Sequence, residues 1–189
     1  MRCARQFAVE SARPALGRHG EARDRHLLRL KSILFLCTAN SARSILAEAY
    51  LNYVARNRFT AYSAGSRPGS EINPFALELL HKNRLATTRL RSKSWDEFAL
   101  PGAPRMDFVF TVCDSAAAET CPVWPGHPVT AHWGVPDHAA VKGTDAQKRR
   151  AFKDAFSALS RRIDLFLALP VEKLKALALK EKLAEIGSA

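Results

Sequence analysis

The sequence predicts an α/β fold, a four-stranded parallel sheet flanked by helices on both faces. Short apolar runs alternate along the chain with segments of helical periodicity, the order that is typical of parallel sheets. The 189 residues are enough for one domain with a sizeable core, and they contain no internal repeat. A hydrophobic content of 47% without low-complexity segments indicates a globular protein.

The first part of the chain predicts two strands and two helices. The apolar run SILFLC predicts a buried strand that ends at Cys37. After it, residues at helical spacing predict one buried helix face, formed by Leu46, Ala49, Tyr50, Tyr53 and Val54. The segment RFTAYSAGS alternates between apolar and polar residues, which predicts a second strand. In NPFALELLHKN, Asn73 is suited to cap a helix that begins at Pro74.

The second part predicts two more strands and three helices. SKSWDEFAL predicts a short helix, MDFVFTVC a third strand that ends at Cys113, and HPVTAHW a fourth strand. A long amphipathic helix begins near Thr144, and a last helix follows Pro170. We therefore predict a basic, flexible extension (residues 1–30), a catalytic domain (residues 31–169) and a C-terminal helical extension (residues 170–189).

The net charge of +11 does not by itself indicate a nucleic-acid partner. Residues 1–31 contain eight Lys and Arg against three Asp and Glu, and the rest of the chain has no dense basic run. No segment approaches the roughly 20 apolar residues of a membrane helix, and the first 30 residues lack the apolar core of a signal peptide. We expect a cytoplasmic protein with reduced cysteines and no membrane partner.

CTANSARS, residues 37–44, lies between a predicted strand and a predicted helix. The backbone N–H groups of such a loop and the positive end of the helix dipole bind an oxyanion and lower the pKa of a cysteine. Cys37 is therefore a predicted thiolate nucleophile, although a buried structural cysteine is the alternative. We predict an oxyanion-binding loop formed by Thr38, Ala39, Asn40, Ser41, Ala42, Arg43 and Ser44.

Three side chains of this loop suit that chemistry. The planar guanidinium of Arg43 matches two oxygens of a tetrahedral anion. Ser44 can donate a hydrogen bond to the thiolate, and Asn40 tolerates a left-handed backbone from which its side chain supports the loop.

The motif resembles the phosphate-binding loop of low-molecular-weight protein tyrosine phosphatases and of arsenate reductases with the same fold. The resemblance extends from about residue 32 to about residue 169. Two departures are Ala39, where the family usually has a glycine and a methyl group restricts the backbone, and Ala42, where many relatives have a second cysteine. The resemblance implies that Asp137 is the general acid, although His138 follows it where the family usually has a proline.

Cys113 and Cys121 are separated by seven residues, and a disulfide between them requires Cα atoms about 4.4–6.8 Å apart. The pair resembles the redox segment of thioredoxin-coupled arsenate reductases. That resemblance implies a relay in which Cys37 attacks arsenate, Asp137 assists loss of hydroxide, Cys113 releases arsenite and Cys121 accepts the disulfide. An external dithiol reductant, either thioredoxin or glutaredoxin with glutathione, would then reduce the enzyme. We expect neither a resident metal nor a tightly bound cofactor.

Several alternatives stay open. The protein could hydrolyse phosphotyrosine or another phosphoester through a cysteinyl-phosphate intermediate, or it could be a non-catalytic oxyanion sensor or nucleic-acid-associated protein that uses its basic tail. Zinc could bind Cys113, Cys121, His127 and His132, although their spacing does not match the usual short Cys-x2–4-Cys hook. Asn40 and Glu48 could help to hold an alkali cation, as in some related reductases, or Glu48 could be an ordinary solvent-facing residue.

Overall fold

The computed structural model describes residues 30–120 and 122–189. In this part of the chain the strands are β1 (Lys31–Cys37), β2 (Phe59–Gly65), β3 (Phe108–Thr111) and β4 (Val129–His132). The α-helices are α1 (Arg43–Val54), α2 (Pro74–Lys82), α3 (Asp114–Ala118), α4 (Asp145–Ala168) and α5 (Ala176–Gly187). Two short 3-10 helices lie at Trp95–Phe98 and His138–Ala140.

The strands form one parallel sheet in the order β2-β1-β3-β4, so the predicted fold class is confirmed. The central strand β1 is buried from its second residue to Cys37. Burial on both faces explains why its sequence is a continuous apolar run. The register pairs Cys37 with Gly65 and Leu36 with Thr111. The carboxyl ends of β1, β2 and β3 therefore meet at one edge of the sheet.

Alternate residues of β1 face opposite sides of the sheet, as the period of a strand requires. Ile33 and Phe35 belong to the larger core, together with buried residues from every α-helix of the described chain. Leu34 and Leu36 belong to a smaller cluster, which the 3-10 helix Trp95–Phe98 covers. The short helix that we predicted in this segment is a 3-10 helix, confined between the cap residue Ser94 and Pro101.

Helix α1 is not the amphipathic helix that its apolar spacing predicted. Its buried residues form no single stripe but include almost all of the first two turns, because β1, β2, α2 and α4 surround them. Tyr53 is 63% exposed and Val54 is 39% exposed. The prediction that these two residues are part of the buried face is therefore wrong.

Helix α4 begins with a capping box in which Thr144 and Gln147 bond reciprocally. It buries Phe152, Leu159 and Phe166 at helical spacing. Helix α5 adds Leu179, Leu183 and Ile186 to the larger core. The proposed boundaries at residues 30 and 170 stay predictions, and the N-terminal extension lies outside the described residues. No helix of the described chain combines the length and the apolar character needed to cross a membrane.

Candidate active site

The predicted oxyanion loop, residues 38–44, connects the end of β1 to α1 at the carboxyl edge of the sheet, and its last two residues form the start of α1. It is fixed in place by β2, since a Cβ atom on Gly65 would lie only 2.4 Å from the Thr38 carbonyl oxygen. Glycine at position 65 allows this close approach of two backbones. The loop therefore packs directly against the end of the neighbouring strand.

Cys37 is buried at the base of this loop and is 3% exposed. Its Sγ lies 3.0 Å from Ser44 Oγ and accepts a hydrogen bond from the Asn40 backbone N–H at 3.2 Å. Burial raises the pKa of the Cys37 thiol, and the hydrogen bond with Ser44 opposes this rise without cancelling it. The prediction of a lowered thiol pKa is therefore wrong in this structure, because desolvation outweighs the hydrogen bonds.

Asn40 has the left-handed backbone that we predicted, with φ of 46°. Its Nδ2 donates to Ser44 Oγ at 2.9 Å and to Ser63 Oγ at 2.8 Å. Its Oδ1 accepts from the Lys93 backbone N–H at 2.8 Å. Ala39 is not among the residues with positive φ in the described chain, so its methyl group causes no backbone strain in the loop.

Arg43 begins α1 and extends toward the segment that follows β4. Its Nη1 donates to the Val135 carbonyl oxygen at 3.0 Å, and its Nη2 lies 3.2 Å from Asp137 Oδ1. Arg162 of α4 supports the same segment through hydrogen bonds to the carbonyl oxygens of Trp133 and Gly134, at 2.9 and 2.8 Å. The tertiary structure thus brings together the predicted anion-binding arginine and the predicted general acid.

Cys113 is buried and free, and its thiol lies beside the oxyanion loop. Its Sγ is 3.6 Å from Thr38 Oγ1 and 3.4 Å from the Ala116 backbone N–H. Strand β3 ends two residues earlier than we predicted, so Cys113 is the N-cap of α3 and not a strand residue. Cys121 lies outside the described residues, and its distance from Cys113 stays untested.

One of the four residues of the zinc alternative, Cys121, lies outside the described residues, and His132 already has other partners. His132 Nδ1 lies 2.8 Å from Thr111 Oγ1, and its Nε2 lies 3.1 Å from Asp114 Oδ1. The described residues contain no group of three or more His, Cys, Asp and Glu side chains that could hold a metal ion.

The sequence assigned no functional role to two buried polar groups near this site, Lys93 and His138. Lys93 Nζ lies 3.4 Å from Glu48 Oε2, so Glu48 is an internal residue and not a solvent-facing one. His138 packs edge-on against Phe152 with ring centroids 4.2 Å apart. Burial, and then the positive charge of Arg43, lower the pKa of His138 to about 4. The only sequence signal for either group was a histidine in place of the usual proline after Asp137.

The arrangement suits attack on a tetrahedral oxyanion. A buried thiol lies at the base of a loop of backbone amides at a helix N-terminus, which is a favourable anion site. A guanidinium and a carboxyl group in contact with each other lie at the same site. A second thiol lies against the loop, 3.6 Å from Thr38 Oγ1.

Comparison with known proteins identifies the family. Residues 32–178 match the family described as low molecular weight phosphotyrosine protein phosphatase. An arsenate reductase of Oceanobacillus iheyensis is 34% identical over 136 residues, which cover 72% of this chain and 94% of that protein.

Two solved structures share the fold. A thioredoxin-dependent arsenate reductase of Corynebacterium glutamicum has a TM-score of 0.57 at 23% identity, over 76% of this chain and 64% of that one. A low molecular weight protein tyrosine phosphatase of T. tengcongensis has a TM-score of 0.55 at 25% identity, over 76% and 99%. The chain therefore belongs to the low molecular weight phosphotyrosine protein phosphatase family.

Proposed function

We propose that this protein reduces arsenate to arsenite, with Cys37 as the nucleophile and a disulfide relay through Cys113 and Cys121. The observation that supports this most directly is the position of Cys113, whose buried Sγ lies 3.6 Å from Thr38 Oγ1 in the oxyanion loop. A phosphatase needs only one thiol, whereas a two-electron reduction needs a second thiol close to the first. The 34% identity to an arsenate reductase agrees with this proposal.

Arsenate binds in the loop formed by residues 38–44. The backbone N–H groups and the N-terminal end of α1 attract its negative charge. Arg43 has five N–H donors, and its contacts with Val135 and Asp137 leave others for the anion. The positive charge of Arg43 therefore balances the negative charge of arsenate where Cys37 attacks.

In the first step, Cys37 Sγ attacks arsenic and one As–O bond breaks. Asp137 donates a proton to the departing oxygen, and the thiol proton restores the carboxyl group, so the second product is water. Because burial raises the pKa of Cys37, the thiol form predominates at neutral pH and its proton must leave during this step. A carboxyl group at this position is a suitable general acid.

In the second step, Cys113 Sγ attacks Cys37 Sγ and the S–As bond breaks. The electron pair stays on arsenic, which leaves as arsenite, while two thiols become one disulfide. Cys121 then attacks Cys113 and frees Cys37. An external dithiol, thioredoxin in the first instance and glutaredoxin with glutathione in the second, reduces the Cys113–Cys121 disulfide by thiol exchange. The relay starts from reduced thiols, which fits a reducing compartment such as the cytoplasm.

Arsenate-dependent NADPH oxidation with thioredoxin and thioredoxin reductase tests this proposal. We expect turnover in the wild type and its loss in Cys37→Ser, Cys113→Ser and Cys121→Ser. Cys3→Ser is the matched control, since no role is assigned to that cysteine, and its turnover is expected to be unchanged.

Hydrolysis of p-nitrophenyl phosphate distinguishes the phosphatase alternative. We expect Cys113→Ser and Cys121→Ser to retain any hydrolysis that the wild type shows, because only Cys37 takes part in it. A wild type that hydrolyses phosphoesters and leaves arsenate unreduced would show that the protein is a phosphatase.

A further inference from the structure

Lys93 and Glu48 form a buried ion pair beneath the oxyanion loop. Their side chains are 6% and 8% exposed, and Lys93 Nζ lies 3.4 Å from Glu48 Oε2. Lys93 Nζ also donates to the Arg91 carbonyl oxygen at 3.1 Å. Removing two charges from water is costly, and a buried pair often adds little to stability. The fold therefore gains little stability from this pair, and its contacts point to a role in the site.

Hydrogen bonds connect this pair to Cys37 without interruption. Ser63 Oγ donates to Glu48 Oε2 at 2.5 Å. Asn40 Nδ2 donates to Ser63 Oγ at 2.8 Å and to Ser44 Oγ at 2.9 Å. Ser44 Oγ lies 3.0 Å from Cys37 Sγ. Each of these five residues is buried, so water does not compete for the bonds.

The donors and acceptors available set the direction of these bonds. An ionised carboxylate only accepts, so the Ser63 hydroxyl must donate to it and must in turn accept from Asn40. The Asn40 amide also occupies an acceptor position of Ser44, which leaves the Ser44 hydroxyl proton for Cys37. Burial raises the pKa of Glu48, and the Lys93 ammonium group is the largest influence that opposes this rise.

Lys93 also acts through its backbone. Its N–H donates to Asn40 Oδ1 at 2.8 Å, which fixes the orientation of the Asn40 amide. One residue therefore holds both ends of the arrangement, Glu48 through its side chain and Asn40 through its main chain.

This geometry does not fit the alkali cation that the resemblance suggested for Asn40 and Glu48. The Lys93 ammonium group already lies against Glu48 Oε2, and the Asn40 oxygen already accepts from the Lys93 N–H. We propose that Lys93 is a built-in cation and a positioning residue for Cys37. Its ammonium group pairs with Glu48, which accepts from Ser63. Its backbone N–H orients the Asn40 amide, which leaves the Ser44 hydroxyl to donate to the sulfur. The inference rests on the proposed role of Cys37 as nucleophile, and it does not depend on arsenate as the substrate.

The rate of Cys37 alkylation by iodoacetamide, measured from pH 6 to 10, tests this role without arsenate. A background with serine at Cys3, Cys113 and Cys121 leaves Cys37 as the only thiol. We expect Lys93→Met to raise the apparent pKa of Cys37 by about one unit, which slows alkylation about tenfold at pH 7. Lys153→Met, in an exposed part of α4, is the matched control and is expected to leave the profile unchanged. An unchanged pH profile in folded Lys93→Met would overturn the proposal.

A chemical rescue provides the second test. A groove of about 840 Å³ borders both Lys93 and Glu48, so truncation in Lys93→Ala opens a path for a small cation. We expect ethylammonium or potassium to raise the alkylation rate of Lys93→Ala at least fivefold. Tetramethylammonium, which is larger and has no N–H donor, is expected to leave that rate unchanged. Equal effects of all three cations would contradict a specific site.

A third test uses only the wild type, so it does not depend on whether the Lys93 variants fold. Because Lys93 already supplies the positive charge, potassium and tetramethylammonium at equal ionic strength are expected to give the same alkylation rate. A potassium-specific acceleration of the wild type would show that Lys93 does not fill this role. Loss of arsenate turnover with these alkylation results intact would instead refute only the proposed substrate.

Discussion

The hydrogen bond between Ser44 and Cys37 provides a direct test of how this site controls its nucleophile. Ser44→Ala removes the Ser44 Oγ that lies 3.0 Å from Cys37 Sγ. It leaves the Asn40 backbone N–H on the sulfur and the Asn40 side chain on Ser63. The substitution therefore removes the hydroxyl donor to the sulfur, together with the hydrogen bond that Ser44 Oγ accepts from Asn40 Nδ2 at 2.9 Å.

The expected magnitude follows from the energy of a hydrogen bond to a charged group, about 1.5–3 kcal/mol. Cys37 is 3% exposed, so solvent gives little compensation when the donor is lost. One pKa unit corresponds to about 1.4 kcal/mol, and the substitution is expected to raise the pKa of Cys37 by about one to two units.

The sign of the effect on rate follows from the existing pKa shift. Burial already raises the pKa of Cys37, so the thiolate is the minor form at pH 7 and its fraction falls tenfold with each unit of further increase. We expect iodoacetamide to alkylate Ser44→Ala about 10- to 100-fold more slowly at pH 7, and the two rates to converge at high pH.

Stopped-flow alkylation across pH 6–10 measures this shift in the background where Cys37 is the only thiol. Ser157→Ala, at an exposed position of α4, is the matched control. Ser44→Thr retains a hydroxyl and is expected to recover most of the rate. An alkylation profile of Ser44→Ala that matches the wild type would refute the assignment of Ser44 as the donor that stabilises the thiolate.

Three further predictions concern the acid, the core and the pH dependence of stability. Asp137→Asn removes the proposed proton donor and is expected to slow adduct formation with arsenate by about 10²- to 10⁴-fold, measured as thiol loss in a single turnover. Trp133→Phe removes the Nε1 hydrogen bond to the Leu183 carbonyl oxygen at 3.0 Å and leaves a small cavity, so urea unfolding is expected to show a loss of about 1–3 kcal/mol. His138 has a pKa lowered from 6.5 to about 4, so it is neutral in both states above pH 6.5. Below that pH the unfolded chain binds a proton that the folded chain does not, and stability falls. Wild type is therefore expected to lose about 2–3 kcal/mol more than His138→Gln between pH 7.5 and pH 4.5.

Each of these predictions has an outcome that contradicts it. Adduct formation in Asp137→Asn that is slowed less than threefold would exclude Asp137 as the acid, and an unchanged alkylation rate of Cys37 is the control that the loop is intact. Equal unfolding midpoints for Trp133→Phe and wild type would show that the bond to α5 contributes nothing. Parallel losses of stability with pH in His138→Gln and wild type would show that His138 binds its proton equally well in both states.

The sequence by itself determined the features that depend on neighbouring residues. The apolar run before Cys37 is continuous because β1 is central and buried on both faces. Asn73 caps the helix that it was predicted to cap, and α4 begins next to Thr144, where a long helix was predicted to begin. The left-handed Asn40 follows from the short loop between strand and helix. Periodicity, helix caps and loop conformation each depend on residues close together in the chain, so the sequence predicts them without a structure.

Only the tertiary structure decided which distant groups meet and how much water reaches them. Lys93 and Glu48 are 45 residues apart in sequence, and no local pattern marks either as a partner of the other. Arg43 and Val135 are separated by 92 residues. The direction of the Cys37 pKa shift depends on desolvation by the whole fold, which the loop motif does not contain. Sequence patterns specify local backbone conformation, whereas burial and long-range contacts arise from packing, and these set the chemistry of the site.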